Sequence, residues 1–383
     1  MDYRSKSYGR NQEVQEIFAL FEQARDLSMP GPRRLGKTFV LDRLEEQAQG
    51  RKWHCIKLDV SGCNDAQQFF HSLCQNTDRL RGHKRGAFDT LVQRFKQLYQ
   101  PKPGAQSSSW FASLLMHDWR QHLETLLQNM HEAKTERWAL LIDELPIFLK
   151  RLHDKGPQGL SEARDFMNFI NDLRQRYPRV RWLITGSIGM EPLARAGQYF
   201  GALAKFHTYA LNELSEAQAV DFVQDLARHN KIKRSEISAG EAQALVQACG
   251  WRAAYYLDLF ASQMPGISSD DAAQIAQHIA ACRHTLMQKH MTSHWSIWEE
   301  HLRKHDPECK RAFTCLNALA AHENGMLADT LLANINDPAL QKPTLLQHLH
   351  SMCCDGLLYE SAPERFAIRL PLQRLYWQKF PLV

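Results

Sequence analysis

A mostly parallel α/β sheet domain, a helical segment after it and a helix-turn-helix variant at the end are predicted by three features of the sequence. The run Gly31-Pro32-Arg33-Arg34-Leu35-Gly36-Lys37-Thr38 fits Gly-x-x-x-x-Gly-Lys-[Ser/Thr], a turn between a strand and a helix. Four apolar runs, 53–60, 137–143, 180–185 and 206–211, alternate with helical patterns. From about residue 307 the order becomes three helices followed by two short extended runs.

Each element follows from local chemistry. The four apolar runs read as buried strands, and their alternation with helices implies a sheet covered on both faces, which places ligands at the carboxyl ends of its strands. The strand that should precede the glycine-rich turn is poorly written: Asp26-Leu27-Ser28-Met29-Pro30 has only two aliphatic side chains. Helices are expected over about 65–80 and 109–131, separated by an exposed Pro/Gly/Ser loop at 99–109, which the basic stretch 79–85 approaches. After Leu211 helical periodicity runs to about 290, with Ser215 and Gln218 capping one helix and Gly240 and Gly250 punctuating the next ones. The terminal helices are expected at 308–322, 327–334 and 343–356, and the extended runs at 357–361 and 366–370, a winged-helix pattern.

Composition sets the outer bounds. Hydrophobic residues make up 44% and charged residues 23%, as in ordinary globular proteins, and 383 residues suit two or three domains. No apolar run approaches the roughly 18 to 20 residues of a membrane span and no secretory signal is visible, so a cytoplasmic address with no membrane partner is expected. The nine cysteines include no Cys-x-x-Cys pair and read as reduced thiols; adjacent Cys353 and Cys354 diverge by about 100 degrees on a helix. His290 and His294 share a helix face, but without a third ligand nearby they read as part of a domain junction. A net charge of +5 permits nucleic-acid contact without requiring it.

The chemistry lies in the motifs. Gly31 and Gly36 let the backbone wrap around phosphates, Lys37 is suited to the β and γ phosphates, and the Thr38 hydroxyl to Mg²⁺. Pro32, Arg33, Arg34 and Leu35 complete the loop, its arginines reading either as phosphate contacts or as solvated side chains. The strand Trp138-Ala139-Leu140-Leu141-Ile142 ends in Asp143 and Glu144, the Walker B arrangement: Asp143 for the Mg²⁺ shell, Glu144 as the base that polarises water. A third strand ends in Thr185-Gly186-Ser187, whose hydroxyls are candidates to sense the γ-phosphate. No guanine-reading Asn-Lys-x-Asp run is present, so ATP is preferred to GTP.

Taken with Tyr8-Gly9-Arg10-Asn11-Gln12-Glu13-Val14, Leu211-Asn212-Glu213-Leu214-Ser215 and Gly250-Trp251-Arg252-Ala253-Ala254-Tyr255-Tyr256-Leu257, these motifs make the chain similar to the archaeal-type ATPases, relatives of the AAA+ and STAND groups. The resemblance implies a nucleotide held between the sheet domain and a helical lid, with Gly9 and Arg10 near adenine and ribose. It also implies a lid arginine, for which Arg252 is the candidate although many relatives carry proline there, and an arginine finger, for which Arg195 is the candidate. A finger acting in trans requires a homo-oligomer. The chain ends at Val383 without a nuclease domain, so any effector is expected to be a separate protein.

The expected architecture is therefore a P-loop ATPase α/β domain at 1–211, a helical lid at 212–290 and a winged helix at 291–383. The expected function is that of an ATP-binding and hydrolysing switch or assembly factor working with DNA or a separate effector, in a mobile-element, repair or phage-defence role. Two alternatives stand beside it: a STAND-like regulator with stably bound nucleotide and little turnover, and a winged-helix DNA-binding regulator. Double-stranded DNA would meet Lys342, Gln347, His348 and Ser351 of the third terminal helix and Arg365 and Arg369 of the wing, a thin set of cations for that task.

Overall fold

A computed structural model describes residues 10–79, 119–187, 190–229, 235–265, 267–288, 310–335 and 340–382, with 232, 337 and 338 as single positions between them. The loop at 99–109, most of the basic stretch 79–85 and the pair His290 and His294 lie outside the described residues, as does Gly9. Two compact units emerge from the packing. One comprises residues 12–30 and 37–211; the other comprises 1–11, 31–36 and 212–383.

The first unit is a five-stranded sheet with its helices. Its strands are β1 (Leu27–Pro30), β2 (Trp53–Asp59), β3 (Arg137–Asp143), β4 (Val180–Gly186) and β5 (His207–Thr208). They lie in the order β2-β3-β4-β1-β5, and every pairing is parallel. The helices are α1 (Arg10–Glu22), α2 (Lys37–Ala48), α3 (Ala66–Arg79), α4 (Trp119–Glu132), α5 (Leu145–His153), α6 (Pro157–Arg176), α7 (Met190–Ala196) and α8 (Phe200–Leu203). β3 and β4 are buried almost throughout, with Trp138 and Trp182 fully enclosed, as central parallel strands covered on both faces require.

The weakly written segment is indeed a strand, and a central one. Leu27 and Met29 are fully buried while the exposed Pro30 closes the strand, so four residues suffice between two parallel neighbours. The last strand is shorter than expected: only His207 and Thr208 pair with β1, and Tyr209 donates one more hydrogen bond, to the Ser28 carbonyl, before the chain leaves the sheet. Below the sheet, Asp26 gathers Arg174 at 2.8 Å, the Trp182 amide at 3.0 Å and Arg181 at 3.6 Å. A half-buried carboxylate satisfied by two guanidiniums and an amide avoids the cost of an unpaired charge and ties the start of β1 to α6 and β4.

The second unit holds two cores. The helical lid consists of α9 (Glu216–Arg228), α10 (Ala239–Cys249), α11 (Ala254–Ala261) and α12 (Ala272–Leu286), packed around Phe222, Leu245, Leu257, Phe260 and Leu286. α9 opens with the expected capping box: the Gln218 amide donates to Ser215 Oγ, and the Ser215 amide donates to Gln218 Oε1. Gly250 caps α10 in the left-handed conformation, whereas Gly240 sits inside the first turn of that helix, because Ser238 is its N-cap.

The second core belongs to α13 (Lys310–Ala320), β6 (Met326–Leu327), α14 (Ala328–Ile335), α15 (Lys342–Asp355), β7 (Leu358–Ala362), β8 (Arg365–Ile368) and α16 (Pro371–Lys379). A three-stranded antiparallel sheet, ordered β6-β8-β7, closes the three helices into a winged helix. β6 and α16 add to the expected pattern; Trp377 of α16 is fully buried and plugs the core. Among the described residues, no helix is long and apolar enough to cross a membrane.

Candidate nucleotide site

The carboxyl ends of β3 and β4 bring the motif acids and hydroxyls together. Register sets Ile142 beside Ile184 and Met29 beside Thr185, so β4, lying between the Walker B strand and β1, carries its hydroxyls to the site. Thr38, at the start of α2, donates to Asp143 Oδ2 at 2.6 Å. Thr185 donates to the other oxygen, Oδ1, and accepts from the Glu144 amide at 3.3 Å. Asp143 and Thr185 are buried, so the Oδ1 contact lies away from solvent, whereas Thr38, which engages Oδ2, is exposed.

Glu144 is held separately. Its Oε2 accepts from the Ser187 hydroxyl at 2.7 Å and from the Ser187 amide at 3.0 Å, and its backbone has φ of 59°, at the N-cap of α5. A non-glycine residue in the left-handed region costs about 1 kcal/mol or more, and such residues gather where the direction of a side chain matters. Lys37 is buried at the N-terminus of α2, where backbone amides and the helix dipole favour an anion.

The loop Gly31–Gly36 is built differently. Arg10 is buried and donates from Nη2 to the Leu35 carbonyl at 3.0 Å and from Nη1 to the Asn212 carbonyl at 2.8 Å. It thus clamps the backbone of the loop. Gly36 has φ of 100°, a conformation only glycine adopts without strain, and Arg34 has φ of 71°. The exposed Arg34 guanidinium lies 3.7 Å from the ring centroid of Tyr255 on α11, a close cation–π contact. Leu35 is buried, while Gly31, Pro32 and Arg33 are half-buried.

The two remaining candidate arginines are both engaged with carboxylates. Arg252 pairs with Glu213, which also accepts from the Arg252 amide at 3.2 Å. Arg195 is 64% exposed, bonded to Glu191 one turn earlier at 2.7 Å and stacked over Phe200. Motif reading missed Tyr255, Asp355 and Gly356 as neighbours of the phosphate loop; Tyr255 lies in the run 250–257, but nothing in its spacing points to Arg34.

The winged-helix cations are also largely engaged. Lys342 pairs with Asp329 at 2.9 Å and Glu364 at 2.6 Å, and Arg365 donates to the Gly325 carbonyl at 3.1 Å. Arg369 lies over the rings of Trp251 and Tyr359. Gln347 and His348 are exposed and Ser351 is half-buried. Of the two neighbouring cysteines, Cys354 is exposed and Cys353 half-buried.

No protein-family model matches the chain, and no curated protein does. Among solved structures, a Walker-type ATPase of Pyrococcus abyssi is similar over 96% of this chain and 95% of that one, with 13% identity and a TM-score of 0.60. The ORC2 protein of Aeropyrum pernix in its ADPNP–ADP complexes aligns over 96% and 91% at 12% identity, with a TM-score of 0.46. Cdc6p of Pyrobaculum aerophilum aligns over 96% and 92% at 12% identity, with a TM-score of 0.38. At these identities the first likeness is one of fold, and the other two add nothing to it. The fold is that of a P-loop NTPase, a parallel α/β sheet with a helical lid followed by a C-terminal winged helix.

Proposed function

We propose that this chain binds ATP with Mg²⁺ and hydrolyses it, working as a nucleotide-driven switch. The observation that carries the reading is the set of hydrogen bonds from Thr38 to Asp143 and from Thr185 to Asp143, beside Lys37 at a helix N-terminus. The donor set fits the group: a hydroxyl and a carboxylate 2.6 Å apart are hard oxygen ligands of the kind Mg²⁺ takes alongside phosphate oxygens and water. When bound, Mg²⁺ would neutralise charge on the β and γ phosphate oxygens. Lys37 binds the same phosphates, Thr185 orients Asp143, and Glu144 accepts a proton from the attacking water while Ser187 fixes its carboxylate.

Phosphate release from ATP by the full chain tests this. Hydrolysis should disappear in Lys37→Ala together with nucleotide binding, and in Glu144→Gln with binding retained. A Glu144→Gln variant that turns over like wild type would remove Glu144 from the role of base.

A second reading, a regulator that holds its nucleotide and turns over slowly, is favoured by one observation: Glu144 Oε2 already accepts two hydrogen bonds from Ser187. Stoichiometric nucleotide in the purified protein would support it; an empty, rapidly exchanging site would oppose it. Arg195 is exposed as a finger acting on a neighbouring copy would be, and sedimentation with a non-hydrolysable ATP analogue tests that assembly. Double-stranded DNA and a separate effector chain complete the set of proposed partners. Because the winged-helix cations already have partners, DNA binding, if measured, should have a shallow salt dependence.

A further inference from the structure

The C-terminal end of α15 meets the phosphate loop. Gly356 caps that helix with φ of 85°, and a Cβ added there would lie 2.3 Å from Pro32 Cβ and 3.3 Å from the Trp251 ring. A side chain there would collide with the Pro32 ring, so the Gly356 backbone packs directly against Pro32 of the loop. The preceding residue, Asp355, is 9% exposed, and its Oδ1 has no hydrogen-bond partner among the described residues. A buried carboxylate oxygen without a donor is costly and calls for a reason. Burial pushes its carboxyl up to about 7, and the charge of Arg33, in the phosphate loop, works in the opposite direction. At the opposite end of α15, Lys342 is held by two carboxylates.

We propose that Asp355 is a positioning residue of the phosphate loop, an intramolecular anion whose charge attracts Arg33 and competes with a nucleotide phosphate for it, so that the winged helix latches the loop. The inference rests on the proposed nucleotide site and adds its regulation. Pro32 against Gly356 sets the approach, and the Asp355 charge sets the competition. Phosphate entering the loop takes over Arg33, which leaves the buried carboxylate uncompensated and weakens the hold of the winged helix on the loop.

The test is titration of the full chain with a fluorescent ADP analogue and Mg²⁺ at pH 8, where the Asp355 carboxyl is mostly ionised. Asp355→Asn should bind about three- to tenfold more tightly than wild type, the scale of removing one nearby charge. Arg33→Ala should bind more weakly, and adding Asp355→Asn to it should change nothing. Unchanged or weaker binding by Asp355→Asn, or a gain that persists in the Arg33→Ala background, overturns the latch; a purely structural Asp355 would move the melting temperature and leave this cycle additive. Should Asp355→Asn fail to fold, Gly356→Ala disturbs the same docking from the other side and should also tighten binding, with unchanged or weaker affinity overturning the proposal. Lys37→Ala separates the two levels: binding lost there with Asp355→Asn equal to wild type sinks the latch alone, whereas no binding by wild type or by Asp355→Asn sinks both.

Discussion

The phosphate-binding motif is continuous in sequence, yet its two halves are held by different means. Lys37 and Thr38 belong to the sheet unit, where hydroxyls and carboxylates at neighbouring strand ends satisfy one another over short, direct hydrogen bonds. Gly31–Gly36 belongs to the C-terminal unit, held by the Arg10 clamp, the Tyr255 ring and the close approach of Gly356. On the proposed function the sheet half carries the chemistry, its donors and acceptors being fixed by strand register. On the same reading the loop half is the one that adjusts, since its contacts include a cation on a ring and a glycine packed against a proline ring.

The largest effect that would sharpen this division lies in the sheet half. Lys37→Ala should lower hydrolysis by about a thousandfold or more, as loss of a charged transition-state contact does, and Glu144→Gln by about a hundred- to ten-thousandfold with affinity retained. Measuring turnover and affinity together checks both. If Glu144→Gln lost affinity in step with turnover, the sheet half would be a binding surface as well, and the division would fail.

Next comes stability, in the loop half. In the unfolded chain the Asp355 carboxyl titrates near its ordinary 3.8, in the folded chain near about 7. Between those values the folded state keeps a proton that the unfolded state has released, so stability falls as pH rises from about 4 to about 7, and the loss is complete above that. Asp355→Asn has no such proton. At pH 8 it should exceed wild type by on the order of 3 kcal/mol in urea unfolding, with the gap closing towards pH 4. A gap independent of pH would show that the carboxylate is fully compensated, and the loop half would be as tightly satisfied as the sheet half.

Sequence reading served the two halves unequally. β3 and β4 were legible because a strand buried on both faces must be a continuous apolar run, and the acids and hydroxyls follow directly at their ends. The same logic faltered at β1, where four residues carry only two aliphatic side chains, and at β5, where the apolar run continues past the two residues that pair. The contacts of the loop half left no pattern to read. Arg10 reaches a carbonyl 202 residues away, and Tyr255, Asp355 and Gly356 are more than 200 residues beyond the arginines and proline that they meet. Spacing within a motif reports on its own turn; it says nothing about which distant surface covers that turn. The winged helix repeats the lesson, since its order of elements was readable but the pairing of Lys342 with Asp329 and Glu364 depends on three elements converging.

A smaller effect separates orientation from binding within the sheet half. Ser187→Ala removes the hydroxyl that bonds Glu144 Oε2 at 2.7 Å but leaves the backbone amide in place. One neutral donor to a carboxylate is worth about 1 to 2 kcal/mol, so turnover should fall by roughly tenfold at unchanged nucleotide affinity. An accelerated Ser187→Ala enzyme would instead mean that the hydroxyl restrains Glu144, which is what the slow-turnover reading expects.

The smallest effect concerns the ring under Arg34. That guanidinium is exposed, so its stacking on Tyr255 is worth about 0.5 to 1 kcal/mol, and the ring acts by limiting the conformations of a loop that must be ordered when phosphate binds. Tyr255→Leu removes the π face and should weaken binding of the fluorescent ADP analogue by about two- to fivefold, while Tyr255→Phe, which keeps the face and loses only the hydroxyl, should match wild type. Turnover at saturating ATP should be the same in all three, because the ring contacts the half of the motif that adjusts and leaves the hydrogen bonds around Asp143 and Glu144 intact. A loss of saturated turnover in Tyr255→Leu would mean that disorder in the loop reaches Lys37 and Thr38, and the two halves of the motif would then have to be treated as one mechanical piece.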